Sequence, residues 1–405
     1  MLMWSDRPGM IADLITVYTV LSCGVWALAF IDFMRALKTV PLLGEDLRTL
    51  GTTAEKWPSL SIIVPACNEA VHIESAISSI LTQDYPNLEI IAVNDRSTDA
   101  TGDILNRMAA TDSRLQVLHI RDLPAGWLGK VNAMHQGVQR AKGEWLLFTD
   151  ADVHYRPGAL RRAIIYTQHH GVDHLALVPR VITRGFWLEV AVRAFGLLLL
   201  LSARACKVNT PKSKTPFGVG AFNLVQANVF NKTLGFEWLR LEPGDDYGLG
   251  IMINNVGGRT RLAFADNDLS VIWYENVGAM FKGLEKNMFG PGAHYKWWRM
   301  LAAVFGLWAV VAAPWVGLIA GTMTGSRLML GAAVVAIAVH IVFSVLYIRE
   351  KRSETLSLLL FPVGVLMFTG MVLQSGFKCL RNRGIDWRGT HYSIDDLRAG
   401  QRVKF

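Results

Sequence analysis

Between residue 59 and about residue 265 short apolar runs alternate with amphipathic stretches, and on either side lie apolar runs long enough to cross a bilayer. The short runs, residues 60–65, 89–94, 115–120, 145–149 and 175–182, are rich in Ile, Val and Leu and read as buried strands. The amphipathic stretches over 69–82, 101–110, 130–141 and 157–169 read as helices. This alternation predicts an α/β domain on a mostly parallel sheet flanked by helices, with ligands collecting at the carboxyl ends of the strands. The long runs are residues 11–34, 300–322, 328–348 and 356–377. The first is interrupted only by Asp13 and Asp32 and lacks both a basic leading flank and a small-residue cleavage site, so it reads as an anchor rather than a cleaved leader. The expected order is an anchor over 1–40, a linker over 41–58, the α/β domain over 59–290, membrane helices over 291–377 and a tail over 378–405.

Composition strengthens the membrane part of this picture. Of the 405 residues 51% are hydrophobic, more than an ordinary globular chain carries. The net charge of +8 concentrates near the membrane-flanking segments rather than along one soluble stripe, which favours an anionic membrane surface over nucleic acid. Residues 185–205 form a further apolar stretch broken by Glu189, Arg193 and Arg204, the pattern of a helix lying in the headgroup layer or of a buried core helix. The basic bias of the α/β domain, of residues 349–352 and of the tail places all three on the cytoplasmic side of a multi-pass protein of the cell membrane. Three carboxyl-terminal spans cannot satisfy that bias. Either 356–377 is re-entrant or the tail is external.

Three polar clusters end the predicted strands: Pro65-Ala66-Cys67-Asn68-Glu69, Asn94-Asp95-Arg96-Ser97-Thr98-Asp99 and Thr149-Asp150-Ala151-Asp152. Singly, each suits the cap of a following helix, with Asn68, Asp99 and Asp152 as capping residues. Together they gather carboxylates at one sheet edge, and on extended backbone Asp150 and Asp152 would face the same way. Such a pair suits a hard cation, Mg2+ or Mn2+, completed by diphosphate oxygens and water. Asp152 is the expected direct ligand, with Asp150 turned to a ribose or to the water shell of the metal.

The ordered motifs P-A-x-N-E at 65–69, V-N-D-x-S-x-D at 93–99, G-K-x-N-A at 129–133, D-A-D at 150–152 and D-D-Y at 245–247 resemble those of the family 2 glycosyltransferases. The resemblance implies a GT-A fold, a nucleotide-sugar donor (a UDP-sugar in expectation), a divalent cation and inversion at the anomeric carbon. It implies that Pro65, Asn68 and Glu69 line the nucleotide pocket, that Asp95 meets the base or ribose, and that Lys130 lies near the nucleotide. Asp246 becomes the base that takes the acceptor proton, with Asp245 beside it. The segment 124–130, P-A-G-W-L-G-K, resembles one found in hopanoid- and carotenoid-associated glycosyltransferases, lipid-glycosylating enzymes akin to the ceramide type. Within it Trp127 is either a stacking platform or a packed loop aromatic. Gly218, Gly220 and Asn223, in the loop between the two acidic motifs, would shape the acceptor pocket. Phe281, Lys282, Lys286 and residues 294–299 would touch the membrane, and the tail around 384–392 would lie beside the active site. Polymer-building members carry Q-x-x-R-W after the base; none occurs in this chain, so one sugar per lipid hydroxyl is expected. Two rivals remain open on these grounds: a polyprenyl-phosphate sugar synthase, and a membrane protein that binds nucleotide-sugars without catalysis.

Overall fold

A computed structural model describes residues 7–45, 56–351 and 357–404. The linker expected over 41–58 falls largely outside them, as does the junction before the last apolar run.

Among the described residues the α/β domain is built on an eight-stranded sheet in the order β3-β2-β1-β4-β7-β6-β8-β5. The strands are β1 (Leu60–Ala66), β2 (Leu88–Asp95), β3 (Leu115–Ile120), β4 (Trp145–Phe148), β5 (His154–Tyr155), β6 (His174–Val181), β7 (Asn223–Gln226) and β8 (Thr260–Val271). The first four in chain order pair in parallel, as do β6 and β8. β7 runs against both β4 and β6, and the two-residue β5 runs against β8. Alternation along the strands explains why both faces are apolar. Ile62, Val64, Ile90 and Leu147 pack beneath Ile73, Ile77 and Ile80 of the helix Ile73–Leu81. Their neighbours Ile63, Ile91, Val93 and Leu146 face Val131 and Met134 of the helix Gly129–Val138. Each fully buried aliphatic side chain contributes about 1.5–3 kcal/mol.

The reversed strand matters for the site. Because β7 is antiparallel to β4, with Asn223 opposite Phe148, the loop before it arrives at the edge where β1, β2 and β4 end. The backbone N–H of Asp150 then donates to the carbonyl of Gly220 at 3.1 Å. Residues on opposite sides of a long insertion are joined in this way.

Among the described residues three helices are long and apolar enough to cross a membrane: Met10–Thr39, Arg327–Leu346 and Ser357–Arg381. The single span expected over 300–322 is instead two helices, Trp297–Val311 and Ala313–Thr324, bent by 50° at the break. Pro314, in the first turn of the second helix, explains the break, since it has no N–H to donate and its ring crowds the preceding turn. The carbonyls freed at the bend are met by the first helix. Ser22 Oγ and Trp26 Nε1 each donate to the Val310 carbonyl at 3.1 Å, and Tyr18 Oη donates to that of Ala309 at 2.5 Å.

The helix Phe186–Ser202 packs along Phe361–Arg381. A Cβ at Gly364 would lie 2.4 Å from that of Ala194, a close approach open to small residues. Phe186 and Trp187 at its start are exposed. The tail forms the hairpin β9 (Gly384–Trp387) and β10 (Thr390–Ser393) and the helix Ile394–Gly400, whose Leu397 is buried in the same core as Leu239 and Leu241 of the α/β domain.

Candidate active site

The loops after β1 and β2 are stitched to each other. Asn68, at a left-handed φ of 57°, accepts the Thr98 N–H at 2.8 Å and donates its own N–H to Ser97 Oγ at 3.0 Å. Asp99 accepts the N–H groups of Ala70 at 3.1 Å and Thr101 at 3.0 Å. Asp99 therefore does serve the start of the helix Thr101–Ala109, whereas Asn68 holds a loop, and the helix expected from residue 69 starts at Ile73. Asp95, the last residue of β2, is buried and pairs with Arg96 at 2.8 Å. Gly129 lies so close that a Cβ there would meet the Asp95 carboxylate at 2.3 Å.

At the end of β4 the acidic pair sits on a turn rather than on extended backbone, and both carboxylates still open into one cavity of about 1570 Å³. Lys130, one residue into the helix Gly129–Val138, reaches Asp150 at 2.8 Å and Asp245 at 3.2 Å. Asp246, in the first turn of the helix Asp245–Asn255, accepts the N–H of Gly220 at 3.0 Å and of Tyr247 at 2.8 Å. A Cβ at Gly220 would meet the Asp150 carboxylate at 2.7 Å, and one at Gly218 would lie 1.8 Å from the backbone carbonyl oxygen of Asp246. Both glycines thus permit the loop to wedge between the two acidic motifs. We expect Gly218→Ala to displace Asp246 and to cost about 1–3 kcal/mol of stability through overpacking, read as a lowered Tm; an unshifted Tm with normal turnover would show that the wedge is slack.

The electrostatics separate the carboxylates. Burial, then the charges of Asp150 and Glu69, push Asp152 up to about 7. Burial also raises Asp245, to about 6, against the pull of Lys130, and it raises Asp246. Asp150 feels the same burial, but Lys130, with Lys286 and Arg388 farther off, holds it below the ordinary carboxylate range. Asp152 forms no ion pair among the described residues, and Lys130 only partly offsets the cost of its charge. Among the described residues no three His, Cys, Asp or Glu side chains converge as a metal cage. Asp150 and Asp152 instead offer two carboxylates with open positions for phosphate oxygens and water, a donor set that fits Mg2+ or Mn2+.

Of the residues singled out from sequence, Pro65, Glu69, Asp95, Lys130, Asp150, Asp152, Gly218, Gly220, Asp245 and Asp246 line this one cavity. Asn68, Trp127 and Asn223 stand outside its lining. The Trp127 ring packs on His135 at 4.9 Å between centroids, and the Asn223 side chain accepts the N–H of Val219 at 3.2 Å and bonds His174 at 3.1 Å. Both are occupied in holding their own segments. Lys286, read from sequence as a membrane contact, turns into the cavity instead, with Nζ 3.7 Å from the centre of the Trp387 ring. Arg388 donates to the Cys67 carbonyl at 2.5 Å and pairs with Glu69 at 3.0 Å. Sequence offered only the tail motif as a pointer to them, because the bent pair and two further long apolar helices separate the two segments.

Residues 61–234 match the model of the Glycosyl transferase family 2. A Haemophilus influenzae protein named an uncharacterized glycosyltransferase is 32% identical over 34% of this chain and 39% of its own length. A 4,4'-diaponeurosporenoate glycosyltransferase of Staphylococcus aureus is 25% identical over 83% of this chain and 88% of its own. Among solved structures, the mannosyltransferase PcManGT from Pyrobaculum calidifontis, in complex with GDP-Man and Mn2+, superposes with a TM-score of 0.50 at 16% identity, covering 91% of this chain and 99% of that one. The fold is thus the GT-A type, and the non-catalytic reading is set aside. With residues 61–234 matching the Glycosyl transferase family 2 and its acidic motifs gathered at one strand edge, the chain is a glycosyltransferase that uses a nucleotide-sugar donor.

Proposed function

We propose that the enzyme moves one sugar, with inversion, from a UDP-sugar or related donor to the hydroxyl of a membrane lipid at the cytoplasmic face of the cell membrane. One observation carries this reading. The cavity that holds Asp150, Asp152 and Asp246 continues among the helices Phe186–Ser202, Trp297–Val311 and Phe361–Arg381, where Leu199, Val304, Leu307, Phe368 and Val372 form its wall. A polar reaction centre that opens into an apolar, membrane-level chamber suits an acceptor with a polar head and a long apolar body.

Asp246 would take the acceptor proton as the acceptor oxygen bonds to the anomeric carbon. The bond from that carbon to the diphosphate breaks with its electron pair leaving on oxygen. The two backbone N–H groups on Asp246 fix the carboxylate in place, and its burial raises its proton affinity toward the working range of a base. A Mg2+ or Mn2+ held by Asp152, with Asp150 beside it, would supply positive charge at the departing diphosphate. Lys130 aligns Asp150 and Asp245 and favours the charge of each against burial.

Membrane topology follows from the same packing. The tail is hydrogen-bonded to the α/β domain through Arg388 and through Arg402, whose N–H donates to Glu242 at 2.6 Å, so both belong on one side. The helices between them must then cross an even number of times. One of the three apolar elements, the bent pair Trp297–Val311 and Ala313–Thr324, Arg327–Leu346 or Ser357–Arg381, must then be re-entrant. The cytoplasmic placement expected of residues 349–352 rests on side chains outside the described residues.

The test is incubation of the purified protein with Mn2+, a panel of UDP- and GDP-sugars and membrane lipid extract, followed by product mass and anomeric configuration. A lipid carrying a single sugar of inverted configuration is expected. Exclusively water-soluble products, retained configuration or polymeric glycan would overturn the proposal.

A further inference from the structure

Three cations converge on the donor side of the cavity, and each has a different origin: Lys130 from the α/β core, Lys286 from the segment entering the membrane helices, and Arg388 from the tail. Lys130 is committed to Asp150 and Asp245, and Arg388 to Glu69 and the Cys67 carbonyl. Lys286 differs from both. It forms no ion pair among the described residues, and its ammonium rests on the face of Trp387, the residue before Arg388. A cation enclosed in this way without a counter-charge is costly. Burial, with repulsion from Lys130 and Arg388, lowers its proton affinity to about 7. The cation–π contact returns only part of that cost. A ligand bearing negative charge would return the rest. The carboxylates of Asp150 and Asp245 cannot fill that role, since Lys130 already takes both.

We infer that Lys286, seated on the Trp387 ring, is an anion clamp for the diphosphate of the nucleotide, so that the carboxyl-terminal hairpin is a wall of the donor site. When the bond from the anomeric carbon to the diphosphate breaks, the electron pair leaves with the diphosphate oxygen and that group gains one negative charge. A preorganised ammonium in a partly dry cavity stabilises this state more than the bound donor. In a chain without Q-x-x-R-W, this assigns the duty of holding the leaving group to residues that are distant in sequence and joined by the fold. Trp387 acts as a positioning residue, since it sets the ammonium without meeting the ligand.

The inference rests on the nucleotide-sugar donor and is independent of the lipid acceptor, so it is tested by binding without any acceptor present. Full-length protein in detergent is titrated calorimetrically with UDP and GDP in Mn2+, and with uridine and guanosine as uncharged controls. For the diphosphate that binds better, Lys286→Met is expected to weaken affinity about 10- to 100-fold, as for loss of a charge-assisted contact. Lys286→Arg should recover most of this loss, and nucleoside affinity should stay as in the wild type. Trp387→Leu should weaken diphosphate binding to a smaller degree. Equal affinity of wild type and Lys286→Met for the diphosphate, a parallel loss of nucleoside binding, or no binding of either diphosphate to the wild type would overturn the clamp. Should transfer go to a water-soluble acceptor while Lys286→Met still loses diphosphate affinity, the acceptor reading fails and the clamp stands.

Discussion

Asp246→Asn is expected to lower transfer to a lipid hydroxyl by roughly 10³-fold, the scale on which a positioned general base contributes. The substitution keeps the shape of the side chain but only one of its two acceptor oxygens, because Gly220 donates to one carboxylate oxygen and Tyr247 to the other. It therefore removes the capacity to hold a proton together with one of these two hydrogen bonds. The measurement is kcat under saturating donor, with Tm and nucleoside diphosphate affinity as controls for folding and donor binding. In the wild type the same rate should fall as pH drops through a value above the ordinary carboxylate range, because burial raises Asp246 and protonation disables it as a base. A turnover within a few-fold of wild type would remove Asp246 from this role. It would favour an anionic polyprenyl-phosphate acceptor, which has no hydroxyl proton to surrender.

Asp152→Ala should act through a different quantity. Loss of a direct ligand is expected to abolish the response of turnover to added Mn2+ and to reduce kcat by about 10³-fold, in line with several kcal/mol of charge stabilisation at the leaving group. A chelator applied to the wild type should produce the same loss, and Mn2+ should restore activity there but not in the variant. The folded state should tolerate the change well. Asp152 is raised to about 7 by burial and by Asp150 and Glu69, so in the absence of a cation its ionised form is disfavoured rather than held by partners. Chelator-resistant transfer by the wild type would refute the metal assignment, whatever the variant does.

Much of the sheet was legible because β1 and β2 are buried on both faces, and the runs at 60–65 and 89–94 fall within a residue of them. The run at 115–120 matches the edge strand β3, whose apolar residues still mark it although it is only partly buried. β7 and β5 were not legible: four and two residues, respectively, that exist as strands only through antiparallel partners far away in the chain. β8 is long, but its pairing with β6 shifts register between Pro179 and Arg180, and its acidic middle hides the alternation. In the site, the residues on local motifs at strand ends were readable, since a strand end puts its next few side chains at the ligand edge whatever the loop does. The turn carrying Asp150 and Asp152 reached the expected outcome by a different geometry, as both open into the cavity without extended backbone. Lys286 was misread, because a lysine beside a membrane helix looks the same in sequence whether it faces headgroups or a cavity.

Glu242 gives the chain a folding order. Its buried carboxylate receives the N–H groups of Gly244 at 2.9 Å, Arg402 at 2.6 Å and Val403 at 2.9 Å, immediately before Asp245 and Asp246. Two of those three donors are synthesised about 160 residues later, after the last of the long apolar helices. The parallel pairing of β1 to β4 draws on contacts nearer in sequence, while the acidic loop stays unbraced until the last few residues have threaded back. A polypeptide clipped before Arg402 would keep that pairing yet leave the turn ahead of Asp245 and Asp246 without two of its three hydrogen-bonded braces.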